Sequence, residues 1–156
     1  MLAKPVALNL EYRCSGRPAF CRMFALLNPG PVLNQTLAIA AGGAIGALMR
    51  FWMSNGIYAL LGRGFPYGTL AVNVLGSLLM GFLYILTIER LPDSGEWRAF
   101  ALVGLLGAFT TFSTFSIETL NLLEQADYAK AVANMLISVL ACVGAAFVGV
   151  MVARQL

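Results

Sequence analysis

Residues 64–88, 99–117 and 131–153 hold no charged side chain, and uninterrupted stretches of this length constrain the chain more than any motif in it. A bilayer core about 30 Å thick is crossed by a helix of roughly 20 apolar residues, so each stretch reads as a membrane span. A fourth, from about residue 35 to 61, is interrupted only by Arg50. Composition agrees: 11% of the residues are charged, against about 25% in an ordinary soluble domain, which excludes a water-soluble fold. Pro66 and the run Leu91-Pro92-Asp93-Ser94-Gly95 break the chain between spans, and connections this short make neighbouring spans antiparallel hairpins. The expected fold is therefore an all-α integral membrane protein with four transmembrane helices, forming one domain over residues 34–156.

Residues 1–33 differ in kind. Lys4, Arg13, Arg17 and Arg22 stand against Glu11 among four prolines, and the apolar core of a signal peptide is missing. This segment reads as a basic, disordered tail, with a translation start further on, at Met23 for instance, as the alternative. From residue 34 onward six basic residues balance six acidic ones, so the net charge of +3 belongs to the tail. Arg90, Arg98 and Arg154 fall on one side of the spans, Arg63 and Lys130 on the other. Loop lysines and arginines set orientation; a body so evenly divided inserts both ways, which predicts an antiparallel, dual-topology homodimer.

Several kinds of chemistry are closed off. The chain has no histidine, so Ser-His or Cys-His activation of a nucleophile and a histidine proton relay are impossible. Cys14, Cys21 and Cys142 lack metal-ligand spacing and do not form a disulfide framework. No enzyme is expected, and no nucleic-acid partner; membrane lipid is the surrounding medium.

Polar residues within the spans are costly unless they face a partner or a water-filled path. Thr69, Asn73 and Ser77 recur every four residues in the second span, and Asn134, Ser138 and Cys142 do so in the fourth, each set forming a stripe on one helical face. Hydrogen bonding between helices explains either stripe alone, less readily for Asn73, whose amide offers two donors. Gly42, Gly43 and Gly46 in the first span, with Gly68, Gly76 and Gly81 in the second, suit close helix packing in lipid. Arg50 has two readings, snorkelling to headgroups or a charge that attracts ions in a vestibule.

The third span carries the densest signal. From Gly107 it reads Gly107-Ala108-Phe109-Thr110-Thr111-Phe112-Ser113-Thr114-Phe115-Ser116. Hydroxyls at this density compete for backbone hydrogen bonds and predict a broken helix. A break at membrane depth is tolerated only where freed backbone groups are buried, line a cavity or coordinate an ion. Released carbonyls suit a hard cation such as sodium. Phe112 and Phe115, three apart, point to similar sides, and the positive edge of a phenyl ring can contact an anion without trapping it; packing against core or lipid is the competing reading.

At these residues the chain resembles the Fluc or CrcB family of fluoride channels, from about residue 36 to the C-terminus. The resemblance rests on Gly42-Gly43-Ala44-Ile45-Gly46-Ala47-Leu48-Met49-Arg50, Gly68-Thr69-Leu70-Ala71-Val72-Asn73-Val74-Leu75-Gly76 and Thr110-Thr111-Phe112-Ser113-Thr114-Phe115-Ser116. It implies an antiparallel, dual-topology dimer in the bacterial inner membrane that conducts fluoride passively through two pores and relieves the cytoplasm of it. By position it implies that Phe112, Phe115 and Asn73 line the pore and that the backbone carbonyls of Gly107 and Thr110 hold a structural Na+ at the dimer centre. It also implies a polar track at Ser113 and Thr114, an acidic residue near the pore at Glu118, a span-four contact at Ser138 and a vestibule arginine at Arg50. The competing functions are a proton-coupled small multidrug or cation exporter, which needs a membrane-embedded carboxylate to trade protons, and a non-conducting scaffold subunit.

Overall fold

A computed structural model describes residues 30–89 and 95–156. The basic tail therefore lies outside the described residues as far as residue 29, as does the predicted break at 91–94. Helix α1 spans Gly30–Leu61 and α2 Tyr67–Glu89. The next span is composite, with α3 at Gly95–Arg98, a π-helical segment at Ala99–Leu106, α4 at Gly107–Phe109 and α5 at Phe112–Glu124; α6, Tyr128–Gln155, closes the chain. Among the described residues four segments are long and apolar enough to cross a membrane, Val32–Leu61, Tyr67–Thr87, Gly95–Glu124 and Tyr128–Gln155.

Two spans depart most from the expectation. Helix α1 begins at Gly30 rather than near residue 35. Its first turn includes Pro31, at a place where backbone N–H groups have no partner within the helix in any case. The third span runs from Gly95 to Glu124 instead of 99–117, because Glu96, Arg98 and Glu124 stand at its ends, where charge reaches water. Asn34 Nδ2 donates to Glu96 Oε1 at 3.0 Å there, tying the start of the first span to that of the third.

The turns follow from local chemistry. Gly62, at φ 78°, takes the left-handed position that ends α1 and donates its N–H to the Tyr58 carbonyl at 3.0 Å. Pro66 then opens α2, accepting from the Leu70 N–H. After α5 the same left-handed position falls to Ala126, at φ 59°. Flanking bonds from Ala126 to the Leu123 carbonyl and from Asp127 to the Leu122 carbonyl close a Schellman-type cap.

Small residues decide the packing. A Cβ on Gly81 would collide with the Ala146 carbonyl, and one on Gly149 with that of Leu78, so α2 and α6 meet backbone to backbone. Gly42 and Gly46 meet the π-helical segment at Phe100 and Leu105 in the same way, while Gly104 faces the Ile39 carbonyl. Gly43, grouped with them by sequence, faces open space. Val72, Leu106, Phe109 and Ala131 form the buried centre, whereas Leu140 and Phe147 are exposed. Large apolar side chains on the outside are what a lipid or protein partner covers.

Candidate functional site

The third span opens at two residues. Thr110 (φ −78°, ψ 157°) and Thr111 (φ −151°, ψ 118°) are both extended, between α4 and α5, which is where the hydroxyl density predicted a break. Asn73 of α2 fills the gap: its Nδ2 donates to the Thr111 carbonyl at 2.9 Å, and its Oδ1 accepts the Thr111 N–H at 2.7 Å. One side-chain amide thus satisfies both backbone polar groups of a residue that the helix has released. The Thr111 hydroxyl caps α5, accepting the Thr114 N–H at 3.2 Å.

These bonds leave carbonyls beside the break without their helical donors, those of Gly107 and Thr110 among them. In an unbroken helix the carbonyls of Gly107 and Thr110 would accept from N–H groups four residues on, those of Thr111 and Thr114. Both donors are diverted, the first to Asn73 and the second to the Thr111 hydroxyl. Gly107 is also exposed, so its backbone is open to a ligand or a partner. No group of three or more His, Cys, Asp or Glu side chains is gathered for a metal among the described residues. A cation here would rely on neutral backbone oxygens, a donor type suited to hard ions.

Two grooves meet at the break. One, of about 400 Å³, is lined by Asn73, Ser77, Phe112, Phe115, Ser138 and Thr111, with Cys142 further along. The other, of about 530 Å³, is lined by Arg50, Ser54, Thr69, Ser113, Thr114 and again Thr111. Phe112 and Phe115 sit 5.3 Å apart, centroid to centroid, tilted by 41°, and Phe112 is 77% exposed, so its ring is not consumed by packing within the chain. Among the described residues no carboxylate pairs with Arg50, whose guanidinium therefore faces its groove uncompensated.

The hydroxyls are part donors and part scaffold. Thr111 Oγ1 donates to Thr114 Oγ1 at 3.0 Å and lies 3.3 Å from Ser113 Oγ, which leaves the Thr114 hydrogen available to a ligand. Asn73 keeps one N–H beyond its bond to Thr111. Ser138 lines the first groove but donates to Asn134 Oδ1 at 3.3 Å. Asn134 donates in turn to Thr119 Oγ1 at 2.8 Å, and Thr119 donates to the Phe115 carbonyl at 2.8 Å. The span-four stripe thus divides: buried Asn134 bonds between helices, while Ser138 and Cys142 face the groove.

Glu118 lines neither groove. It borders a third pocket of about 350 Å³ with Tyr58, Arg63, Asp127 and Lys130. Thr111 and Tyr58 were missed by sequence reasoning as site residues. Thr111 carried a signal, its place at the head of the hydroxyl run; Tyr58 carried none.

The family profile described as "CrcB-like protein, Camphor Resistance (CrcB)" matches residues 37–150. A protein of Methylococcus capsulatus named "Fluoride-specific ion channel FluC" is 58% identical over 125 residues, 80% of this chain and 55% of that one. Proteins of the same name from Magnetococcus marinus and Coxiella burnetii are 55% and 49% identical, over 77% and 78% of this chain and 98% and 99% of theirs.

Proposed function

Because the chain belongs to the CrcB-like family, and relatives aligned over most of it are named fluoride-specific ion channels, we propose that it is a passive fluoride channel and not an enzyme. The observation that carries this reading is the break at Thr110–Thr111, held open by Asn73 beside the Phe112–Phe115 pair. Fluoride is small and strongly hydrated, so a selective path must replace its water with donors while binding weakly enough to release. The spare N–H of Asn73, the hydroxyl of Thr114 and the ring edges of Phe112 and Phe115 provide weak, neutral contacts of that kind. Arg50, uncompensated in its groove, concentrates anions at the entrance. Ser113 continues the polar track, and Ser138 faces the rings from α6.

The working unit in this proposal is an antiparallel homodimer in the bacterial inner membrane, exporting cytoplasmic fluoride. The balanced charge of residues 34–156 supports dual insertion, and the exposed faces of Phe112 and Gly107 support a second copy covering them. The freed carbonyls of Gly107 and Thr110 would hold the structural Na+. Two such oxygens from each copy make four neutral donors, and the ion supplies a positive charge that fastens two released backbones together. Glu118, tied to Tyr58 at 2.7 Å, is not placed in a groove where an exporter would trade protons.

Purified protein in liposomes tests the proposal. Fluoride should run down its gradient with no proton coupling, while chloride stays behind. Drug–proton exchange, or no flux of either halide, would overturn it.

A further inference from the structure

The third pocket and the hydroxyl-lined groove are separated by a cluster built around Tyr58. Its hydroxyl donates to Glu118 Oε1 at 2.7 Å and lies 3.3 Å from Thr69 Oγ1. The Arg63 guanidinium carbon lies 5.6 Å from the centroid of its ring, within cation–π range. Gly68 makes room for the ring, since a Cβ there would come within 2.6 Å of Tyr58 Cε2. Four neighbours thus fix one side chain. The other carboxylate oxygen, Glu118 Oε2, is buried without a hydrogen-bond partner among the described residues, so the Tyr58 hydroxyl is the contact there that holds this carboxylate where it is.

Its position matters because of what lies one turn away. Glu118 follows Thr114 by four residues on α5, so the two share a helical face, and Thr114 lines the groove that also holds Arg50 and Ser113. A carboxylate released from Tyr58 can turn toward that groove, where it would find the Thr114 hydroxyl and the uncompensated Arg50. A fixed negative charge there repels an anion and neutralises the charge that attracts it.

We propose that Tyr58 is a positioning residue for anion passage: its hydroxyl holds the Glu118 carboxylate in the loop-side pocket and keeps that negative charge out of the hydroxyl-lined groove. The inference rests on the channel reading. Thr69 bridges the two compartments, lining the groove while touching the Tyr58 hydroxyl, so the same contact braces the wall between them.

Fluoride efflux from liposomes, measured side by side for the wild type, Tyr58→Phe, Glu118→Gln and the double variant, tests this. Tyr58→Phe should slow efflux about tenfold, the scale of one hydrogen bond to a charged group. With the carboxylate gone there is nothing to restrain, so the double variant should conduct like Glu118→Gln alone. A Tyr58→Phe protein as fast as the wild type would overturn the inference. So would a double variant slowed relative to Glu118→Gln as much as Tyr58→Phe is relative to wild type, since Tyr58 would then only support the wall. A wild type that passes no fluoride would instead remove the channel reading, and this inference with it. Gly68→Ala, which displaces the ring and leaves the hydroxyl intact, gives a second route if Tyr58→Phe cannot be purified. Its slowing should likewise vanish when combined with Glu118→Gln, and a slowing that persists counts against the proposal.

Discussion

Helices α2 and α6 meet through bare backbone, whereas α2 and the third span meet through an amide filling a gap in a helix. In the first contact Gly81 faces the Ala146 carbonyl and Gly149 faces that of Leu78, and among the described residues no backbone hydrogen bond joins the two helices. In the second, Asn73 takes over both polar groups of Thr111, and the carbonyls of Gly107 and Thr110 lose their usual donors. Both contacts bring chains close in a medium without water. One does so by removing side chains, which gives a rigid seam with nothing to offer an ion; the other spends a side chain to leave backbone oxygens free. The same helix, α2, serves the two purposes at different heights.

Of the two contacts, the one at Asn73 should be the more sensitive to substitution. Asn73→Asp removes the donor that holds the Thr111 carbonyl and sets a negative charge beside the anion path, so fluoride efflux should fall by about a hundredfold or more, on the scale of about 3 kcal/mol for a buried polar group left without its partner. Efflux at the wild-type rate would show that the break does not depend on this amide. Phe112→Ile and Phe115→Ile keep apolar bulk and remove the ring edge, and each should slow efflux by about tenfold, the scale of one aromatic contact, with the elution volume in detergent unchanged. Equal flux would leave the rings as packing alone.

At the seam the expected effect is on stability. Gly81→Ala drives a Cβ into the Ala146 carbonyl and should cost about 1–3 kcal/mol, read as a lower midpoint of thermal unfolding in detergent, while the folded protein still conducts. Loss of flux without loss of stability would mean that seam and pathway are coupled. The smallest effect is expected far from both. Ala126→Gly relieves a left-handed alanine and should stabilise by up to about 1 kcal/mol, raising the same midpoint and leaving efflux untouched.

Much of this was legible in the sequence. The spans follow from uncharged length, and the break from five hydroxyls in seven positions, because both are local properties. Phe112, Phe115, Asn73 and Ser138 line one groove and Arg50, Ser113 and Thr114 another, a division that neither helical spacing nor the motifs gave. What the sequence withheld were pairings across distance. Asn73 and Thr111 are 38 residues apart and Tyr58 and Glu118 60 apart, and no periodicity links either pair. The π-helical segment was equally hidden, since its register depends on how Gly42, Gly46 and Gly104 bring the first and third spans together. Asn134 and Ser138 share a stripe, yet only depth of packing sends one to Thr119 and the other to the groove.

In the proposed channel the chain around Thr111 leaves helical geometry to face a water-accessible path. Thiol accessibility in the membrane tests it most directly, with Cys14, Cys21 and Cys142 replaced and single cysteines placed at Ser113, at Thr114 and, as a control, at outward-facing Leu140. A small charged thiol reagent should modify the cysteines at 113 and 114, fluoride at high concentration should slow the reaction, and the cysteine at 140 should stay unmodified. Cysteines at 113 and 114 as unreactive as the one at 140 would contradict it.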